Sequence, residues 1–354
     1  MKILFIYIVP SGGMETLNRE RCKSLQPHGV DCHLLYLVDG SGLQNFQMNS
    51  RTIFVTNEDD EIRMILDREQ YDCITVSSDY LMLERLRGLG YRGPIIYEAQ
   101  GLGSYSAARA FLHDAKIYIE PHAAALLYPN TTHLKSLFTE IYPGKKHYCF
   151  DNCLDTENFS YRSLGFSSLP IIGWVGRIES NKNWQMFLDI VTKFTRLVPD
   201  YKIWLFEDDQ ISPEKELFKS RVEQLKLNSR IESFANVPHH QMADYYSMIG
   251  DSGGFLCSTS VMEGFGYAVL EAMSCRCPVV TSDSDGVRSF VTHNLTGKLF
   301  AQQDVNGAVA EAFDLVCNLS LREFIRTRAI TRAREQFSPQ LYANRFLSML
   351  KDLV

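Results

Sequence analysis

The chain has 354 residues, 45% hydrophobic and 22% charged, with 36 Lys and Arg against 42 Asp and Glu. That length suits two domains with two sizeable cores, and the composition excludes a mostly disordered chain. A formal net charge of −6 lacks the basic excess of a dedicated nucleic-acid binder.

Short apolar runs alternate with longer amphipathic stretches. In the first half the predicted strands are 2–9, 31–37, 52–55, 72–76, 94–97, 123–128 and 147–150. Helical patterns at 14–26, 59–69, 80–89, 105–119 and 132–141 separate them. Several strands are continuous apolar runs, the pattern of strands buried on both faces. This βαβα order implies a doubly wound parallel sheet. The Ser-rich stretch 160–169, with Gly165 and then Pro170, breaks the alternation and marks the expected boundary. The alternation restarts with strands at 171–176, 202–206, 230–234, 254–257 and 278–281. Helices are predicted at 184–197, 214–225, 241–248, 267–274, 305–317 and 322–336. A last helix starts at Ser338-Pro339. The predicted fold is α/β, with two Rossmann-like domains over 1–165 and 166–338. Ligands of such sheets bind at the carboxyl ends of the strands, so a cleft between two such ends could hold two substrates face to face.

Nine cysteines form an odd set without a regular framework, which predicts reduced thiols. Neither close pair, Cys149/Cys153 or Cys275/Cys277, has the partner pair that a structural zinc site needs. The apolar run from Ile3 to Val9 is short for a signal-peptide core and leads into Ser11-Gly12-Gly13 instead of a small-x-small cleavage site. No stretch approaches the roughly 18 apolar residues of a membrane span. These features predict a cytoplasmic protein, in which the N-x-S/T triplets at Asn130, Asn158, Asn294 and Asn318 are chance.

Three segments carry chemistry. After the strand 254–257 come Glu263-Gly264-Phe265-Gly266-Tyr267 and then Glu271 in helix-forming sequence. A strand, a glycine turn and a helix leave free backbone N–H groups at a positive helix end, an anion site. Glu263 and Glu271 share a helix face if the helix includes both; if it begins at Gly266, Glu263 lies on the loop above its N-terminus. Such carboxylates can accept from sugar hydroxyls, although on spacing alone they read first as a helix-terminal and a solvated Glu. After the strand 171–176, Arg177 and Lys182 suit a diphosphate and equally a charge pair on the rim. After the first strand, Gly12 and Gly13 allow close approach of backbone to a ligand or form an ordinary turn; the G-x-G-x-x-G fingerprint is missing.

Together these residues resemble the retaining glycosyltransferases of family 4, which have the GT-B fold, over nearly the whole chain. The most specific match is Glu263 and Glu271 within E-G-F-G-x-x-x-x-E-A-M. Gly12-Gly13 with Glu15, Asn152-Cys153-Leu154-Asp155, Gly176-Arg177 with Lys182, Phe234 to Val237 with Tyr245-Tyr246, Pro278-Val279-Val280 and Gly297 to Phe300 also fit. The resemblance implies that Arg177 and Lys182 hold a donor diphosphate, helped by the helix start at Gly266-Tyr267 beside Phe265. It implies that Glu271 binds the ribose, Glu263 the donor sugar, and backbone near Val237 the base. Gly12 and Gly13 would approach the phosphate and the acceptor side. Two residues depart from the pattern. Gln100 stands where the family usually has a His, and it can hydrogen-bond a sugar but carries no proton at neutral pH. Cys153 replaces a Gly.

The implied reaction moves a sugar from a nucleotide sugar, UDP- or GDP-linked, to an acceptor hydroxyl with retention and without a metal. The competing readings are a GT-B nucleotide-sugar epimerase and an inactive sugar-nucleotide-binding subunit. Residues 1–165 would be the acceptor side, with 339–354 packing back on it, and 166–338 the donor domain. Residues 1–165 hold 16 Lys and Arg against 20 Asp and Glu, so at most peripheral membrane association is expected. Asp283-Ser284-Asp285 has the D-x-D spacing of metal-dependent transferases but is expected to be a loop, as is Asp208-Asp209. His239-His240 has no acid or Cys partner nearby in sequence, and no nucleophile motif occurs.

Overall fold

The computed structural model describes residues 1–46, 52–165, 169–208 and 212–354, in two compact units. Unit 1 is Met1–Cys153 with Phe337–Val354, and unit 2 is Leu154–Gln336.

Unit 1 holds β1 (Lys2–Tyr7), β2 (Asp31–Tyr36), β3 (Ile53–Val55), β4 (Cys73–Ser77), β5 (Ile95–Glu98), β6 (Ala125–Tyr128) and β7 (Lys146–Cys149). They form one sheet in the order β3-β2-β1-β4-β5-β6-β7 with every pairing parallel. In register, Ile3 pairs with Cys32 on one side and Cys73 on the other. The crossovers that parallel strands require include α1 (Gly12–Leu25), α2 (Asp59–Glu69), α3 (Leu81–Gly88), α4 (Tyr105–Asp114), α5 (Lys116–His122) and α6 (Thr132–Ile141). All residues of β4 and β5 are buried, which is why both are mainly apolar, with Thr75, Ser77 and Glu98 buried among them. Strand order reverses between β1 and β4. The helical pattern at 105–119 is two helices meeting at Ala115, and α5 runs on through Pro121, which has no N–H to donate within it.

Unit 2 repeats the plan with β8 (Ile171–Val175), α7 (Trp184–Leu197), β9 (Lys202–Glu207), α8 (Lys215–Gln224) and β10 (Ile231–Ala235). There follow α9 (Met242–Asp251), β11 (Phe255–Ser258), α10 (Tyr267–Ser274), β12 (Val279–Ser282), β13 (Lys298–Phe300), α11 (Val305–Cys317) and α12 (Leu319–Gln336). The sheet order is β10-β9-β8-β11-β12-β13, all parallel, and it reverses between β8 and β11. The short β13 has no apolar run to announce it. Its Lys298 is 1% exposed and is neutralised by Glu311 at 3.0 Å and by Asp314.

The chain passes from one unit to the other between Cys153 and Leu154, ahead of the stretch 160–169. Residues 154–162 join unit 2 through specific bonds. The Phe159 carbonyl accepts from Ser274, Tyr161 donates to Asp251 at 2.8 Å, and Arg162 reaches Asp244 at 2.7 Å. The final helix, α13 (Pro339–Leu353), is N-capped by Ser338 and packs on α1 of unit 1. There Phe346 lies 5.8 Å from Phe5, and Tyr342 lies 5.6 Å from Phe150. All nine cysteines are unpaired thiols. No helix among the described residues is long and apolar enough to cross a membrane.

Candidate functional site

In unit 2 the loops after β8 and β11 flank the point where strand order reverses, where doubly wound sheets bind ligands. Each loop is short and tied to the other. Asn181 donates from its side chain to the Met262 carbonyl at 3.1 Å, and Val261 N–H donates to the Asn181 carbonyl at 2.8 Å. Thr259 donates to the Lys182 carbonyl at 2.8 Å and itself accepts from the buried Trp174 indole at 3.2 Å. These bonds bring Lys182 and Glu263 together at 2.5 Å, with Ser260 donating to the same Glu263 oxygen at 2.6 Å. The side chains are 25% and 15% exposed, so the pair is shielded but reachable.

α10 starts at Tyr267, which places Glu263 on the loop before it and not on the helix. Gly266 caps it at φ +93°, and a Cβ there would sit 2.9 Å from Val287. Only Gly meets both demands. Phe265 and Tyr267 are buried, their rings 4.9 Å apart, and Phe265 also packs on Phe290. Their side chains anchor the turn while its backbone N–H groups form the helix end.

Arg177 is not bonded to Lys182. It pairs with Glu179 at 3.1 Å and lines a pocket with Ile178, Glu207, Asp208 and Lys215. Val237 is half-buried in the turn after β10. Glu271, one turn into α10, is buried and accepts from Tyr246 at 3.0 Å and bonds His239 at 2.9 Å. His239 therefore has an acid partner, 32 residues away in the chain and invisible to local spacing. His240 is exposed. Asp283 is held by Arg288 through both carboxylate oxygens, which depresses its pKa below the usual carboxylate value. Asp209 lies outside the described residues. Among the described residues no three His, Cys, Asp or Glu side chains are grouped to hold a metal ion.

Unit 1 carries Gly12, Gly13 and Gln100. Gly12 and Gly13 are exposed and open α1, with Gly12 at φ +59°. Gln100 follows β5 and sits in a chain of hydrogen bonds: Asn152 donates to its carbonyl at 2.7 Å, and its N–H donates to Glu98 at 2.9 Å. Glu98 is fully buried beside Arg21, which donates to both carboxylate oxygens at 2.9 and 2.8 Å. Burial opposes the charge on Arg21, but Glu98 raises its pKa further and holds it protonated. An ion-paired carboxylate only accepts, so the Gln100 amide is oriented with its nitrogen toward Glu98. No sequence motif announced Arg21 or Glu98.

Two doubly wound parallel sheets define the GT-B fold. A solved structure of Anabaena Alr3699/HepE in complex with UDP and glucose superposes with a TM-score of 0.84 at 17% identity, covering 100% of both chains. Residues 157–336, just over half of the chain, match the glycosyl transferases group 1 family, and the chain belongs to it. Among curated relatives, a 2-deoxystreptamine N-acetyl-D-glucosaminyltransferase of Niallia circulans is 22% identical over 176 residues, 50% of this chain and 43% of the relative. An N-acetylgalactosamine-N,N'-diacetylbacillosaminyl-diphospho-undecaprenol 4-alpha-N-acetylgalactosaminyltransferase of Campylobacter jejuni is 26% identical over 188 residues, 52% and 48% of the two chains. The chain thus spans less than half the length of these relatives.

Proposed function

We propose that this protein is a retaining glycosyltransferase that moves a sugar from a UDP- or GDP-sugar to a hydroxyl of an acceptor, in the cytoplasm and without a metal. The observation that carries the reading is the Lys182–Glu263 pair beside the start of α10, in a member of the group 1 family. A cation next to a helix N-terminus suits a diphosphate, and a carboxylate next to it suits sugar hydroxyls. In this reading Lys182, Arg177 and the backbone at Phe265, Gly266 and Tyr267 meet the diphosphate. Glu263 meets the donor sugar, Glu271 the ribose and the Val237 backbone the base. Gln100 hydrogen-bonds the donor sugar, and Gly12 and Gly13 approach the phosphate and acceptor side.

The reaction breaks the bond between the anomeric carbon and the diphosphate oxygen, and the electron pair leaves with the nucleoside diphosphate. The acceptor oxygen bonds that carbon on the same face, and its proton passes to the departing phosphate oxygen. Stabilising the developing charge is the main electrostatic task, which Lys182 and Arg177 perform.

A thermal-shift panel of UDP-, GDP-, ADP- and dTDP-sugars tests the donor. Ligand at 100 times its dissociation constant adds about 2.7 kcal/mol, a clear melting shift. Release of nucleoside diphosphate that depends on an added acceptor supports transfer. Conversion of the donor to its epimer with the nucleotide still attached, in the absence of any acceptor, favours an epimerase. Failure of every nucleotide to shift the protein overturns the proposal.

A further inference from the structure

Glu271 differs from Glu263 in the company it keeps. Glu263 is paired with a lysine, whereas the bonds to Glu271 come from a phenol and an imidazole. Those two donors come from separate pieces of chain. Tyr246 lies on α9 and is fully buried, and His239 lies in the turn between β10 and α9, 17% exposed. Burial, and then the Glu271 charge, push the Tyr246 phenol well above its ordinary pKa, so it remains a donor. His239 is seated against the buried Phe159 at 4.8 Å between ring centroids. The Phe159 carbonyl is in turn bonded to Ser274 of α10, the helix that carries Glu271.

A carboxylate offers about two lone-pair sites on each oxygen. Tyr246 takes one on Oε2 and His239 one on Oε1. By that count one site remains on each oxygen, enough to accept from two adjacent hydroxyls. A free Glu side chain would also lose rotamer entropy when it bound such a diol, and two fixed donors remove that cost beforehand.

We propose that His239, with Tyr246, is a positioning residue that fixes Glu271 to grip the vicinal 2′,3′-diol of the nucleotide, making the site selective for ribonucleotide over 2′-deoxyribonucleotide donors. This rests on the donor reading above. The His239 N–H, with the Tyr246 hydroxyl, fixes the rotation of the carboxylate plane, and its loss frees that plane to turn about the remaining bond, away from the diol. Tyr246, being fully buried, is a poor mutational probe, whereas His239 reaches the surface.

Calorimetric titration of the wild-type protein, His239→Phe and His239→Gln with UDP, 2′-deoxy-UDP, GDP and 2′-deoxy-GDP tests this. Phe keeps a ring against Phe159 without the N–H, and the Gln amide nitrogen can restore the donor. The wild type should prefer the ribonucleotide of whichever base it accepts by roughly tenfold or more. His239→Phe should reduce that preference to about twofold, the larger loss falling on the ribonucleotide because it has two hydroxyls to lose and the 2′-deoxy form one, and His239→Gln should recover most of it. Equal wild-type affinity for ribo and deoxy forms overturns the inference and leaves the donor reading standing. So does equal loss of both forms in His239→Phe, or no loss of either. If none of the four nucleotides binds the wild type, the donor reading fails and this inference falls with it.

Discussion

Lys182 and Glu263 lie 81 positions apart in the chain, yet their charged ends meet at 2.5 Å. The fold therefore sets the candidate diphosphate cation directly against the candidate sugar-binding acid. An incoming diphosphate must share that lysine with Glu263, so the two residues should respond to mutation with opposite signs in binding. Lys182→Ala should weaken nucleoside diphosphate binding and cut turnover by roughly 10²–10³, as loss of a charge-stabilising donor does. Glu263→Ala should cut turnover too, but leave nucleoside diphosphate binding equal or tighter. Calorimetry and a diphosphate-release assay on the same preparations read both. Weaker nucleotide binding in Glu263→Ala would show that the acid holds the lysine in place and does not compete for it.

The Arg21–Glu98 pair makes a different kind of prediction, about stability. Both side chains are wholly buried, and Glu98 also receives Ser77 and Gln100. Removing one member of such a pair strands the other charge, at a cost of about 3–5 kcal/mol. Glu98→Ala should show that loss in urea unfolding. The double variant Arg21→Met, Glu98→Leu should regain much of it, because paired apolar replacement removes both desolvated charges. A Glu98→Ala protein of wild-type stability would contradict the network described for Gln100.

What the sequence made legible follows from where the information is local. Parallel strands buried on both faces announce themselves, and α2, α6, α7, α10 and α11 lie at the spans their periodicity predicts. Lys182 and Glu263 stand out because each lies in a glycine-bearing loop that follows a strand. Three things were hidden. β13 is three residues long with a Lys that is buried only because Glu311 and Asp314 neutralise it. Arg21 reads as a surface residue of α1 until Glu98 is seen opposite it. His239 has no acid within the local sequence, because its partner arrives on a helix formed 32 residues later. Each depends on pairing across strands or helices, which spacing along one segment does not encode.

The last helix offers a test of unit membership. α13 buries Tyr342, Phe346, Met349 and Leu350, with Phe346 against Phe5 of β1. Phe346→Ala should cost about 3–5 kcal/mol, and that loss should fall on unit 1 alone. Hydrogen exchange resolved by segment measures this. Protection should drop in β1 and α1 while β8 and β11 keep theirs. A uniform drop across both units would mean that the chain unfolds as one cooperative block.

Alkaline pH should destabilise the fold well before its lysines titrate, through buried thiols. Burial pushes Cys257 and Cys277 up to about 12, against about 8.5 for a thiol in an unfolded chain. Between those values the unfolded chain has released the proton and the folded chain still holds it. The unfolded state then binds fewer protons, so stability falls as pH rises. The loss begins near pH 8.5 and grows by about 1.4 kcal/mol per pH unit for each such thiol. Buried Tyr36, Tyr97 and Tyr246 phenols, all raised by burial, add to the slope once the unfolded phenol titrates, near pH 10. Thermal melts under reducing conditions from pH 7.5 to 9.5 isolate the thiol contribution. Replacing Cys257 and Cys277 by Ala costs stability at every pH, since two small cavities form, but it should flatten the decline in this range. A variant that keeps the full wild-type slope would assign the alkaline loss to other groups.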